Sequence, residues 1–282
     1  MGGKKVKEGK DYELNTKSKG KTLEGANDPV TDADHASHCV MFRSLLSTFP
    51  GVHVESEEMA NDEKCPSQSP LDVDNYAPEA LKAIEYLSDE FVPKKYVTVW
   101  IDPLDATQEY TESLFQYVTT MVCVAVRGVP RVGVIHYPFM PKTFWAWENK
   151  ITSSNMPHAI HKDEHKDHPR IVVSRSHSGK VKELAAKIFG PETSVTPAGG
   201  AGYKVMEIIN GTYDVYLHAS VIKKWDICAG DAIIKAVNGK LTTLKGHDID
   251  YTTNAGPVVT EGILVSRFDH QHYLGKLLKT QT

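Results

Sequence analysis

The chain has 282 residues, 40% of them hydrophobic and 24% charged, with a formal net charge of −4 and a pI of about 6.4. That length supports one large core or two smaller, closely associated ones, and the composition is ordinary for a soluble globular protein. The acidic balance argues against a general nucleic-acid binder but leaves room for a local basic pocket that takes a small anion. No run of ~18 apolar residues is available to span a bilayer. Met1-Gly2-Gly3-Lys4-Lys5 leads into polar sequence instead of a signal-peptide core. A soluble domain is expected, tied to a membrane only through an anchor absent from this chain.

Residues 1–28 are rich in Lys and Gly, and their amino-terminal part is expected to be mobile. A helix begins near Asp34, because Cys39, Phe42, Leu46 and Phe49 recur at helical spacing and Pro50-Gly51 stops it. Val52–Glu55 reads as a short strand running into Ser56-Glu57-Glu58. A polar loop leads to a helix over 78–91 with Pro78 in its first turn. Tyr96–Ile101 is a β-rich run. Thr119–Arg127 and Arg131–Pro138 are strands joined through Gly128-Val129-Pro130, followed by a strand at Thr143–Trp147.

Asn149–Pro169 is polar and contains His158, His161, His165 and His168. The last three have metal-compatible helical spacing, but Lys162, Asp163, Glu164, Lys166 and Asp167 surround them and favour a solvated loop. This tract is the expected boundary between an α+β half (1–165) and an α/β half (166–282). In the second half strands and helices alternate. Arg170–Ser174 is a strand, Ser178 caps a helix ending at Gly190, and Val195–Pro197 is a further strand. A helix follows Gly199-Gly200-Ala201-Gly202 as far as Asn210-Gly211. Tyr213–Leu217 is a strand, and Trp225-Asp226 opens a helix ending near Asn238-Gly239. Cys123, inside the run Met121–Val126, reads as a buried free thiol. Cys39 and Cys65 could pair in an oxidising compartment.

Chemistry concentrates where carboxylates meet the ends of elements. Asp102 and Asp105 follow the strand at Tyr96–Ile101 and precede a helix start, an arrangement suited to a hard divalent cation and a phosphate together. Carboxylates supply oxygen ligands, and the free N–H groups at the helix start favour an anion. Asp34, Glu57 and Asp226 stand at comparable positions. Each has a plainer reading. Asp34 and Asp226 could cap their helices, Asp102-Pro103-Leu104-Asp105 could be a turn, and Glu57-Glu58 could be a solvated loop in which either residue is the ligand. Gly199–Gly202 could be only a tight turn. Lys223 and Lys224 read as partly solvated. Phosphate-ester hydrolysis needs charge neutralised on the phosphoryl oxygens, an activated water and a stabilised leaving oxygen. Metal ions held by such carboxylates meet all three needs.

Taken in order, Val30-Thr31-Asp32-Ala33-Asp34, Ser56-Glu57-Glu58, Asp102-Pro103-Leu104-Asp105-Ala106-Thr107 and Trp225-Asp226-Ile227-Cys228-Ala229-Gly230 resemble the inositol monophosphatase-like, Mg²⁺-dependent and lithium-sensitive phosphatase superfamily. The resemblance covers nearly the whole chain. Gln108–Glu112, Ser174–Ser178, Gly199–Lys204 and Lys223–Asp226 are similar to its bisphosphate nucleotidase branch. The wording of 105–110 and 225–230 is similar to the Golgi-resident members that act on 3′-phosphoadenosine 5′-phosphate. Ala106 departs from the glycine usual in the superfamily.

The resemblance implies a layered αβαβα sandwich in the α/β class and two or three Mg²⁺ ions. Glu57, Asp102 and the Leu104 carbonyl would hold the first ion. Asp102, Asp105 and Asp226 would hold the second, and Glu57 with water a weaker third. Asp34 and Thr107 would activate water. Ala106 and Thr107 would face the phosphoryl oxygens. Ser174, Arg175, Ser176, His177, Gly200, Ala201, Lys204 and Asp226 would contact the nucleotide. The implied reaction converts adenosine 3′,5′-bisphosphate to 5′-AMP and phosphate in the Golgi lumen, clearing the by-product of sulfation, with a cytoplasmic setting as the alternative. An inositol polyphosphate 1-phosphatase and a non-catalytic phosphonucleotide sensor are the rival readings. Asn210-Gly211-Thr212 is a glycosylation sequon that agrees with a lumenal setting.

Overall fold

A computed structural model describes residues 1–10, 16–21, 27–72, 77–140, 142–159, 166–175 and 178–281. Its frame is two sheets with helices between and outside them. The six-stranded sheet has the order β3 (His53–Ser56), β4 (Val97–Asp105), β5 (Thr119–Val126), β6 (Val129–Tyr137), β7 (Lys142–Trp147), β8 (Ile151–Thr152). Only β3 and β4 pair in parallel; every later neighbour is antiparallel. The five-stranded sheet has the order β10 (Val195–Ala198), β9 (Ile171–Ser174), β11 (Val215–His218), β15 (Ile263–Ser266), β13 (Lys240–Thr243). Its first three strands are parallel, and β15 pairs antiparallel with both β11 and β13. Two-stranded ribbons join β1 (Lys17–Lys21) to β2 (Asn27–Val30) and β12 (Ile222–Lys223) to β14 (Val258–Val259).

Helices α1 (Gly2–Gly9) and α2 (Asp32–Thr48) cover one face of the six-stranded sheet. Short α3 (Pro78–Ile84) and α4 (Thr107–Thr111) follow in the chain. Helices α6 (Ala201–Asn210) and α7 (Lys224–Ala236) fill the space between the sheets. Helices α5 (Ser178–Phe189) and α8 (His270–Gln281) cover the far side of the five-stranded sheet. The layers therefore run α/β/α/β/α. The largest apolar cluster lies in the middle, where Trp100, Met121 and Ile135 meet Val205, Ile227, Ile233, Tyr216 and Val265. Buried apolar area is the main favourable term in folding, so residues of both halves contribute to one core.

Four expectations are corrected. The amino-terminal stretch is a packed helix, not a mobile tail: Val6 is fully buried, and the Tyr110 hydroxyl donates to its carbonyl at 3.1 Å. A Cβ at Gly2 or Gly3 would collide with Met41 or His136. Close packing thus outweighs the low helix propensity of glycine there. The helix at Pro78 stops at Ile84, because none of its residues is buried and so no packed face extends it. The β5–β6 turn is Arg127-Gly128, both at positive φ, and Val129 and Pro130 already belong to β6. Finally, Cys123 is not a free thiol; it is bridged to Cys228. Strand β5 and helix α7 lie 105 positions apart in sequence and meet only through the tertiary fold. Cys39 and Cys65 are also bridged.

Candidate active site

The carboxylates converge because β4 is bulged. In a regular strand residues three apart face opposite sides of a sheet. Asp102 pairs with Met121 and Asp105 with Thr119, so one residue more lies between the partners on β4 than on β5. The bulge, which also accommodates Pro103, turns Asp105 back toward the same cleft. The strand therefore continues through Asp102–Asp105, a segment that the sequence places after the strand and that could have been a turn. Ser37 of α2 donates to the Pro103 carbonyl at 2.8 Å and fixes that segment against the helix carrying Asp34.

Asp34 and Asp226 occupy equivalent helical positions, N3 of α2 and of α7. Asp34 Oδ2 accepts the Thr31 backbone N–H at 2.7 Å and the Thr31 hydroxyl at 2.6 Å. Asp226 Oδ2 accepts the Lys223 N–H at 3.1 Å. Each aspartate thus secures its helix start with one oxygen, an interaction worth about 1 kcal/mol. For Asp34 the other oxygen faces the site: Oδ1 accepts the Thr107 hydroxyl at 3.0 Å. Thr107 Oγ1 also lies 3.1 Å from the Leu104 carbonyl. The capping and chemical readings are therefore compatible in one side chain.

Asp105 has a further structural duty. Its Oδ1 accepts the Ala201 N–H at 3.0 Å, and its Oδ2 accepts the Gly202 N–H at 2.8 Å and the Thr119 hydroxyl at 3.0 Å. It caps the start of α6 from across the cleft, so any metal contact would use its remaining lone pairs. Gly200 sits at φ 62°, where a Cβ would crowd the Tyr117 carbonyl. Ala106 occupies the left-handed region at φ 70°, ψ 46°. Glycine adopts that conformation without the cost a Cβ brings, so the alanine here carries a strain that glycine would avoid.

The cleft is about 550 Å³, and its lining includes Glu57, Asp102, Leu104, Asp105, Thr107 and Asp226. Burial pushes Asp102 and Asp226 well above the usual carboxylate range, and the neighbouring carboxylates add to the rise. Burial also raises Asp34 to about 6 and Glu57 to about 7, against the hydrogen bonds from Thr31 and the charge of Lys19 respectively. Lys19 of β1 bonds Glu57 at 2.8 Å and also pairs with Glu58. Glu57 lines the cleft, whereas Glu58 is buried beside it. Among the described residues, no three of these carboxylates bring oxygens within 4.8 Å of one another. Their mutual repulsion favours that open spacing. An all-oxygen set of carboxylates and one backbone carbonyl suits a hard cation such as Mg²⁺, whose charge would compensate the buried negative charges.

The same cleft is also lined by Ser174, Arg175, Gly200, Ala201, Lys204, Tyr216 and His218. Lys204 is buried and donates to the Ala198 and Gly200 carbonyls. Burial lowers its pKa to about 8, although Asp105 and Glu109 oppose the shift. Arg175 bridges Glu109 and Glu112 at 2.9 and 2.8 Å, and Ser174 Oγ lies 3.1 Å from His218 Nδ1. Ala106 is also part of the lining. Ser176 and His177 lie outside the described residues, as do His161 and His165; His168 is exposed. Sequence reasoning missed Lys19, Glu109, Tyr216 and His218. Lys19 was one of many lysines in the amino-terminal stretch, and Tyr216 and His218 lie in an apolar strand pattern that carries no chemical signature.

The chain matches the inositol monophosphatase family across residues 2–280. It is 48% identical over 270 residues to the putative inositol monophosphatase 3 of Drosophila melanogaster, covering 95% of this chain and 74% of that one. It is 48% identical over 271 residues to the human Golgi-resident adenosine 3′,5′-bisphosphate 3′-phosphatase, covering 94% and 73%. Among solved structures, Thermotoga maritima IMPase superposes with a TM-score of 0.71 at 16% identity, covering 99% of this chain and 93% of that one. An IMPase/NADP phosphatase complexed with Mg²⁺ and phosphate gives a TM-score of 0.68 at 16% identity, covering 97% and 89%. No helix among the described residues is long and apolar enough to cross a membrane.

Proposed function

The chain belongs to the inositol monophosphatase family and is a phosphomonoester hydrolase, and from that premise we propose that it removes the 3′-phosphate of adenosine 3′,5′-bisphosphate. The observation that carries this reading is the lining of a single cleft, which combines carboxylates and Thr107 with Arg175, Lys204 and Ser174. A single phosphate needs only the carboxylates and Thr107. A bisphosphate with an aromatic base gives the cationic and hydroxyl groups, and the Tyr216 ring, something to hold. The human relative is named for this reaction, and the identity to it is high over nearly the whole chain.

Glu57, Asp102 and the Leu104 carbonyl would hold one Mg²⁺, and Asp102, Asp226 and a free lone pair of Asp105 another, with Glu57 and water available to a third. Bound there, Mg²⁺ would neutralise the phosphoryl oxygens and lower the pKa of water. Thr107 Oγ1 accepts a proton from the attacking water while passing its own to Asp34 Oδ1, along the 3.0 Å hydrogen bond already formed. The elevated pKa of Asp34 makes it a better proton acceptor than an ordinary aspartate. The N–H groups of Ala106 and Thr107 face the phosphoryl oxygens. The P–O3′ bond breaks, the ribose oxygen takes a proton, and 5′-AMP and inorganic phosphate leave. Lys204, Arg175 and Ser174 orient the nucleotide.

The Golgi-resident relatives support a Golgi setting; in its lumen this reaction would clear the nucleotide left by sulfotransferases. Asn210 is exposed at the end of α6 and would carry a glycan there; loss of a mobility shift in Asn210→Gln after secretory expression tests this. The name inositol monophosphatase 3 given to other relatives favours a second reading, an inositol phosphate substrate. Phosphate release from adenosine 3′,5′-bisphosphate and from inositol 1,4-bisphosphate, with Mg²⁺ and with or without lithium, separates the two. Lithium-sensitive release from the nucleotide supports the proposal, and release from the inositol compound alone overturns the substrate assignment. Nucleotide binding without release from either compound points to a sensor.

A further inference from the structure

A second group of ligand atoms lies on α2, one residue beyond Asp34 and chemically unlike the cleft. His35, Cys39 and Cys65 place a ring nitrogen and two sulfurs within 4.8 Å of one another. His35 and Cys39 are four apart on the helix, the spacing that stacks side chains on one face. Cys65 directly follows the 3₁₀ turn Met59–Lys64, and its Cα lies 5.0 Å from that of Cys39, to which it is bridged. His35 Nε2 is 3.5 Å and Nδ1 3.9 Å from Cys39 Sγ, so the ring edge bearing both nitrogens faces the sulfur.

That distance is informative. A tetrahedral zinc ion with Zn–S of about 2.3 Å and Zn–N of about 2.0 Å has an N···S edge of about 3.5 Å and an S···S edge of about 3.8 Å. The N···S edge to Cys39 already exists; the sulfurs have to part, and the Cys65 sulfur, within 4.8 Å of the ring nitrogen, takes up the second edge. A bridge joining α2 to the following loop requires no imidazole edge against its sulfur, but a metal site does.

We propose that Cys39, Cys65 and His35 form a redox-gated site for a zinc-like cation, closed as the disulfide and opened by a dithiol reductant. The dithiol supplies two electrons and two protons and becomes a disulfide, while Cys39 and Cys65 become thiols. Metal binding releases both thiol protons to solvent, and the two thiolates neutralise the dication. The imidazole is the third ligand and water the fourth. Nitrogen and sulfur donors select zinc or cobalt here, whereas the all-oxygen cleft selects magnesium. The proposal does not depend on the substrate assigned to the cleft.

The test uses the full chain, reduced with a dithiol, freed of it without air, and titrated with Co²⁺. One equivalent is expected to give sulfur-to-cobalt charge-transfer absorption and the visible bands of tetrahedral cobalt, both displaced by Zn²⁺ and absent from the oxidised protein. Cobalt in the carboxylate cleft contributes no sulfur band. Replacing Cys39 and Cys65 by Ser should abolish the signal. His35→Gln, which keeps the bridge available for folding, should weaken Co²⁺ binding by more than the ~10–100-fold that loss of an outer-shell partner costs. No sulfur band in the reduced chain, a band surviving in the double Ser variant, or undiminished affinity in His35→Gln would each overturn the site.

Discussion

The Thr107 hydroxyl donates to Asp34 Oδ1 at 3.0 Å, joining side chains 73 positions apart. The two arrive from different elements, the start of α4 and the start of α2, and each is held independently. Asp34 is fixed by both donors of Thr31. Thr107 follows the left-handed turn at Ala106. Because its partner's other oxygen is already saturated by Thr31, the Thr107 proton has one defined carboxylate oxygen to approach.

Removing that relay should lower turnover without disturbing substrate binding. Thr107→Ala and Asp34→Asn are expected to reduce kcat about 10²–10⁴-fold, the usual worth of positioned proton transfer, with KM changed little. Thr107→Ser keeps the hydroxyl and should retain most activity. Steady-state phosphate release at saturating Mg²⁺ checks this. A Ser variant as impaired as the Ala variant would assign Thr107 a packing role.

The buried carboxylates set a trade between stability and function. Asp34 and Glu57 have folded-state pKa values raised to about 6 and about 7, chiefly by burial. The folded protein therefore holds these protons more tightly than the unfolded chain. Their stabilising contribution is complete below about pH 4 and disappears as pH rises through 6 and 7. Metal-free protein should lose stability across that window, and Mg²⁺ should restore it by binding the ionised folded state. Asp102, raised further by burial and its acidic neighbours, should follow the same sign. Asp102→Asn should raise metal-free stability at pH 7.5, because it removes a carboxylate whose charged form burial disfavours, while nearly abolishing turnover. Denaturant unfolding with chelator and with Mg²⁺ measures both effects.

Legibility followed the range of the interactions. Helix α2, the strands from β5 to β7 and the starts of α6 and α7 were readable, because periodicity and capping are local. The carboxylates were readable because their motifs are contiguous. The Cys123–Cys228 bridge, the Lys19 ion pairs and the packing of α1 were not, since each depends on segments brought together only by the folded sheets. The bulge at Asp102–Asp105 also escaped the sequence pattern. It reflects a mismatch in pairing between two strands, a property that neither strand carries alone.

Ala106 offers a cheap stability test. Its left-handed conformation costs an alanine roughly 1 kcal/mol that glycine avoids. Ala106→Gly should therefore raise stability by somewhat less than that, because glycine also loses more entropy on folding. The backbone N–H groups remain in place, so turnover should stay within about twofold, well inside the tenfold that 1.4 kcal/mol represents. Thermal unfolding with parallel kinetics checks both expectations. Destabilisation would mean that the Ala106 methyl makes packing contacts worth more than the strain.

Lys19 makes the last prediction, because its position sets it against the cation that Glu57 would bind. Its ammonium pairs with Glu57 and Glu58 from the β1–β2 ribbon. Burial disfavours its charge, but the two glutamates outweigh that and raise its pKa. A monovalent side chain so placed partly neutralises the site that a divalent ion needs. Lys19→Met should therefore lower the Mg²⁺ concentration for half-maximal activity, by severalfold if the pair is worth the ~1 kcal/mol of a partly exposed bridge. It should also make metal-free protein less stable at pH 7.5 by leaving Glu57 and Glu58 unpaired. Activity measured across a Mg²⁺ titration decides the matter. An unchanged or increased Mg²⁺ requirement would show that Lys19 does not compete with the metal, and that its pairing with Glu57 persists in the loaded enzyme.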